Sequence, residues 1–200
     1  MRVLVSPRVD LARDRAAALV ARVLAGEDGT IVLLRERGVR SLERPLSQAE
    51  VHWVRQALSG EEEERRETVG YVCEGSDLGR VEGVDVVAVA DHAGLTWRSP
   101  LTGPNDEKWG PRFPSMVGIY ATDQVAGALA TLAGMILKPG VVAGVADDRS
   151  LTSFEAELAQ VEGHLAASSE LVPVAIIAGH MGVKLAAAVL LRKSKRIGEG

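Results

Sequence analysis

The chain has 200 residues, 46% hydrophobic and 25% charged in mixed order, enough for a sizeable core and too apolar for wholesale disorder. Its net charge of −4 gives no general attraction to nucleic acid or to an anionic membrane surface. One cysteine, Cys73, excludes an internal disulfide and a thiolate metal cluster. The opening MRVLVSPRVD lacks the apolar core of a signal peptide, so a cytoplasmic location is expected.

In chain order, RVLVS (2–6) reads as a first strand and Leu11 to Leu24 as a helix with Asp10 as N-cap. TIVLL (30–34) reads as a second strand. Ser47 to Leu58 reads as a helix opened by a capping box, Ser47 with Glu50 three residues on. Glu61 to Glu64, followed by Arg65 and Arg66, reads as a solvated turn. ETVGYV (67–72) and GVDVVAVA (83–90) read as strands. A Pro- and Gly-rich loop, PLTGPNDEKWGPRFPSM (100–116), suits neither helix nor strand.

Asp123 to Leu137 reads as an apolar helix ended by Pro139-Gly140. GVVAGVA (140–146) is an expected strand, Thr152 to Ser168 a helix, 173–182 a short helix closed by Gly182, and VKLAAAVLL (183–191) a final buried strand. RKSKR (192–196) reads as a basic terminus. The apolar runs near 124–137 and 171–191 are interrupted by Gly, Pro, His or Lys, as in a buried core rather than a membrane span. No repeat or linker divides residues 1–200, so a single domain is expected. Strands without polar alternation, set between helices, predict an α/β fold with a mixed, largely parallel central sheet covered on both faces.

Asp91-His92 and the loop after it resemble the trimeric purine nucleoside phosphorylases. That family carries D-H-I-N-L followed by N-P-L-x-G-P-N-D-x-R-F-G-x-R-F-P-x-M-x-x-x-Y. Here the matches include Asp91, His92, Pro100, Gly103, Pro104, Asn105, Asp106, Gly110, Arg112, Phe113, Pro114, Met116 and Tyr120. ETVGYVCEGSDLGRVEGVDVVAVADH and LVPVAIIAGHMGVKLAAAVLL extend the likeness, with Val172, Pro173, His180 and Gly182 in place. The resemblance implies a nucleoside-phosphorylase fold in a shortened form, assembled as a trimer or a multiple of one.

Phosphorolysis needs amides and cations around phosphate, a group that stabilises the leaving purine, and a held ribose. The family's G-S-G-L-G phosphate turn corresponds to Val5-Ser6-Pro7-Arg8-Val9, where Pro7 removes an amide and Ser6 keeps a hydroxyl. Arg8 has two readings, a charge that compensates for the lost amide or, more simply, a surface arginine. Arg37 falls on the family's phosphate arginine, whereas Val39 and Ser41 replace a histidine and a tyrosine. Cys73 and Glu74 occupy a phosphate turn, where a carboxylate repels phosphate. The phosphate serine position is Glu170, or Ser169 with a one-residue shift, and the base-contacting asparagine is Lys193.

Ser153-Phe154-Glu155 matches the family's base-binding S-F-E, although Thr152-x-x-Glu155 is also a capping box. The chain has two phenylalanines, and both Phe113 and Phe154 fall on site positions of the family. In that family the R-F-P phenylalanine of the loop reaches over the ribose in the neighbouring subunit's site, which implies the same for Phe113. The four histidines show no metal-ligand spacing, so no metal is expected; His92 and His180 read as structural hydrogen-bonding residues. Asp147-Asp148 offers carboxylates for a cation but reads first as a polar turn after a strand.

These residues leave several readings open. One is a non-catalytic or weakly active phosphorylase-like subunit that assembles through the 100–116 loop, as a homo-oligomer or with a catalytic relative, and completes a neighbour's nucleoside site. Another is a divergent enzyme cleaving the N-glycosidic bond of purine-type nucleosides, with Glu155 at the base, Ser6 and Arg37 at phosphate, and phosphate or water as co-substrate. A structural homo-oligomer is the third.

Overall fold

A computed structural model describes residues 1–60, 67–80, 82–96 and 99–192. The expected turn at Glu61 to Arg66, Lys193 and the basic residues beyond it lie outside these. The elements in order are β1 (Arg2–Val5), α1 (Arg15–Ala25), β2 (Thr30–Leu33), α2 (Gln48–Ser59), β3 (Thr68–Asp77), β4 (Val86–Gly94), α3 (Thr122–Leu129), β5 (Leu137–Gly144), α4 (Ser153–Val161), β6 (Ala166–Ser168), α5 (Leu171–Met181) and β7 (Lys184–Arg192).

The strands form one sheet in the order β2-β1-β3-β6-β5-β4-β7, and β7 pairs back onto β3. The pairings β1–β2, β1–β3, β3–β7, β4–β5 and β5–β6 are parallel; β3–β6 and β4–β7 are antiparallel. The sheet is therefore mixed, as expected, but it curls into a closed ring of β3, β6, β5, β4 and β7 rather than lying as an open central sheet. Its longest seam joins β3 to β7, from Thr68 opposite Lys184 to Ser76 opposite Arg192.

Side chains alternate between two cores. Leu4, Tyr71, Leu185 and Ala187 face α2 and α5, whereas Val3, Val5, Val72, Ala186 and Ala188 face α1 and α3. With both faces covered, neither needs polar residues, which explains the unbroken apolar runs of β1 and β7.

Three expectations are corrected. Helix α1 starts at Arg15 with Asp14 as its cap, the carboxylate accepting from Ala17 N at 2.9 Å; Asp10 instead closes the preceding turn by accepting from Ala12 N. Helix α3 ends at Leu129, and Pro139-Gly140 lies inside β5 rather than terminating a helix. Pro139 is tolerated there because β6 reaches β5 only from Val142 to Gly144, leaving that side of the strand without a partner among the described residues. Residues 152–168 are not one helix: α4 stops at Val161, Gly163 turns at φ +88°, and Ala166–Ser168 form β6. Gly75 admits β6, since a Cβ there would lie 2.7 Å from the Ala167 carbonyl oxygen.

Candidate functional site

Where β1, β3, β6 and β7 end, their last residues and the following turns bring together a cluster of charges. Arg8 has a side chain only 8% exposed, so the expected surface arginine is instead an interior one. Its Nη1 donates to Glu43 Oε1 at 3.0 Å and to Asp148 Oδ1 at 2.6 Å, and the guanidinium lies 3.6 Å from Glu74 and 3.8 Å from Glu170. Arg192 pairs with Glu74 at 3.3 Å and with Asp148. Asp148, expected in a polar turn, is 2% exposed and also accepts from Ser169 Oγ at 2.6 Å.

Ser6 Oγ donates to Glu170 Oε2 at 2.9 Å, and Tyr71 OH donates to the Glu170 carbonyl oxygen at 3.1 Å. Burial pushes the Glu170 carboxyl up to about 7, despite the opposing pull of Arg8 and the Ser6 hydroxyl. Burial also opposes ionisation of Asp148, but hydrogen bonds from Arg8 and Ser169 outweigh it and hold that carboxyl below its ordinary value. Cys73 is fully buried, and burial raises its thiol, so it is no thiolate nucleophile. Beside the cluster, a cavity of about 30 Å³ opens among Glu43, Ser168, Ser169 and Pro173.

The carboxylates of Glu43, Asp147 and Asp148 lie within 4.8 Å of one another, a spacing that a metal ion can use. Arg8 Nη1 already bridges Glu43 and Asp148. Sequence reading singled out Ser6, Glu74 and Glu170 here but missed that Glu43, Asp148 and Arg192 join them. The signal available was a conflict: acidic replacements at anion-binding positions need cations somewhere in the fold.

The other candidates lie apart from this cluster. Arg37 stands exposed on the turn after β2 and lines a cleft with Trp53 and Trp109. Glu155 does form the expected capping box of α4: its Oε2 accepts from Thr152 N at 2.9 Å and from Thr152 Oγ1 at 2.8 Å. Phe154, beside it, is 73% exposed.

The 100–116 loop is fixed to the body of the protein at several points. His180 Nε2 meets Asn105 Oδ1 at 3.1 Å, Asn105 Nδ2 donates to Gly110 O at 3.2 Å, and Gln48 Nε2 donates to Thr102 O at 2.8 Å. Gly110 passes so close to α5 that a Cβ would lie 1.6 Å from the His180 carbonyl oxygen. His92 Nδ1 meets Tyr120 OH at 2.7 Å, so both histidines have the structural bonds expected of them. Phe113, in contrast, is 86% exposed and Val117 93%.

Fold and loop together define an α/β protein with a mixed sheet closed into a ring. No family profile matches the chain. In sequence it is 29% identical over 103 residues to purine nucleoside phosphorylase 1 of Bacillus subtilis, covering 50% of this chain and 38% of that protein. It is 32% identical over 108 residues to the purine nucleoside phosphorylase of Mus musculus, covering 50% and 37%. The matched stretch thus spans well under half of either curated relative. Among solved structures, Schistosoma mansoni purine nucleoside phosphorylase in complex with BCX-34 superposes with a TM-score of 0.69 at 18% identity, over 100% of this chain and 83% of that one. Schistosoma purine nucleoside phosphorylase in complex with guanosine gives 0.64 at 20% identity, over 81% and 60%. The chain is similar in sequence to purine nucleoside phosphorylases over half its length and shares their fold.

Proposed function

We propose that this chain is a phosphorylase-like subunit, one domain over residues 1–200, that binds purine-type nucleoside within an oligomer and does not itself carry out phosphorolysis. The observation that carries this reading is the buried ion network at the positions that the resemblance assigns to phosphate. Arg8 and Arg192 face Glu43, Glu74, Asp148 and Glu170, a surplus of negative charge when all are ionised. Each unit-charge contact near 4 Å is worth about 4 kcal/mol at an effective dielectric of about 20, so a phosphate dianion is repelled where relatives would hold one. The adjoining cavity of about 30 Å³ is also far below the roughly 300 Å³ at which ligand pockets begin.

The nucleoside end differs. Phe113 is exposed on a loop that its own subunit holds in place, a geometry suited to insertion into a neighbour. Phe154 and Glu155 offer a base-binding surface on α4. The partner is another copy or a catalytic relative, in a cytoplasmic assembly that needs neither nucleic acid nor membrane. Among the described residues no helix is long and apolar enough to cross a membrane.

The test is native mass spectrometry of the chain isolated from its source, followed by inosine and guanosine cleavage assays with and without phosphate. The expected result is a mixed oligomer with a full-length phosphorylase, no phosphorolysis by the isolated chain, and lower partner activity on Phe113→Ala. Phosphate-dependent base release by the chain alone overturns the proposal, and a pure homo-oligomer removes the catalytic partner.

A further inference from the structure

Away from the ion network, a cleft of about 650 Å³ opens between α2 and the turn that follows β2. That volume falls within the range of small-molecule sites. Two of the chain's three tryptophans, Trp53 and Trp109, line it, in a protein with only 4% aromatic residues. Among the described residues, Arg2, Arg37, His52 and Glu36 supply its polar wall.

Both indoles are fixed in place. Trp53 lies close against Gly38, where a Cβ would come within 2.6 Å of the ring, and φ of +92° at Gly38 is one that glycine readily adopts. Trp53 nevertheless keeps 36% of its surface exposed. Trp109 is flanked by Lys108 at 5.1 Å and Arg55 at 5.7 Å from its centroid, with the His52 ring edge-on at 6.4 Å. Arg37 stands exposed on the turn and makes no ion pair among the described residues. A pinned aromatic surface beside an uncommitted guanidinium suits one kind of ligand. The ring stacks and the guanidinium takes the charge.

We propose that this cleft binds a planar aromatic compound carrying an acidic group, its ring against Trp53 and Trp109 and its anion on Arg37. This site is independent of nucleoside binding at Phe113 and Phe154, and the probe is chosen to keep the two apart: naphthyl phosphate, which contains no purine. Isothermal titration calorimetry compares it with naphthol and with inorganic phosphate. Saturable binding of naphthyl phosphate is expected, at least fivefold tighter than naphthol and at least tenfold tighter than phosphate. Arg37→Ala, on an exposed turn where the fold does not depend on it, is expected to weaken naphthyl phosphate about tenfold and leave naphthol unchanged. Trp53→Ala is expected to weaken both, and Phe113→Ala neither. No binding at millimolar concentration overturns the proposal, as does equal affinity for naphthol and naphthyl phosphate, or binding that depends on Phe113 and not on Trp53 or Arg37.

Discussion

Glu170 shows how one side chain can set a pH dependence. It has no exposed surface; one carboxylate oxygen takes the Ser6 hydroxyl and the other has no hydrogen-bond partner among the described residues. The folded chain holds this proton up to about pH 7, whereas an unperturbed glutamate releases it near 4.5. The stability it contributes is therefore complete below about 4.5, falls as pH rises and is lost above about 7. The gap corresponds to roughly 3 kcal/mol. Glu170→Gln keeps an acceptor for Ser6 and removes the titration. In urea denaturation, the wild type is expected to lose roughly 3 kcal/mol relative to the variant between pH 4.5 and 8. His92 and His180, both lowered by burial, act oppositely below about 6.5, and this difference between two chains cancels them. Parallel stability curves would show that Glu170 does not titrate in this range.

At the scale of elements, helix starts were legible where a local side chain sets them. Ser47 with Glu50 and Thr152 with Glu155 both form the reciprocal boxes that their spacing predicts. Glu50 does more than its box requires: burial raises its carboxyl, yet bonds from Arg44 and Ser47 bring it down to about 2. Gly182 closes α5 in the left-handed conformation, as its position implied. Strand β6 was illegible because Ala166 and Ala167 favour helix locally; they form a strand because only small residues fit beside Gly75 and between β3 and β5. The acidic side of the charge cluster was legible in Glu74 and Glu170. The pairing that joins it was not, since Arg8 and Asp148 are 140 residues apart and no local pattern announces their contact. The box at α4 also separates structure from binding. Thr152→Ala should cost about 1 kcal/mol in urea denaturation, whereas Glu155→Gln, which can still close the box, should leave the midpoint close to that of the wild type. A fall in nucleoside affinity on Glu155→Gln would then mark a binding role without a structural one.

For the whole molecule, two groups stand out among the exposed apolar side chains of the described residues. Phe113 and Val117 project from the long loop, while Phe154, Leu158 and Val161 follow one another along α4 at helical spacing. Two unlike patches that meet would join copies head to tail, an arrangement that gives a ring where the rotation closes and a filament where it does not. Phe113→Ala and Phe154→Ala should therefore each weaken self-association in sedimentation velocity, with no added effect when combined. Additive losses would mean that the patches meet different surfaces. Within each copy, the sheet's own ring is closed by its shortest strand: β6 meets β3 only at Ser76 and Asp77, and β5 only from Val142 to Gly144. That strand runs directly into Ser169 and Glu170, which bond to Asp148 and Ser6. The clasp of the barrel and the lock on its charges are thus one piece of chain. Loosening of Ala166–Ser168 should therefore loosen Asp148 and Glu170 with it, so that amide exchange in this short strand reports on the charge cluster as well.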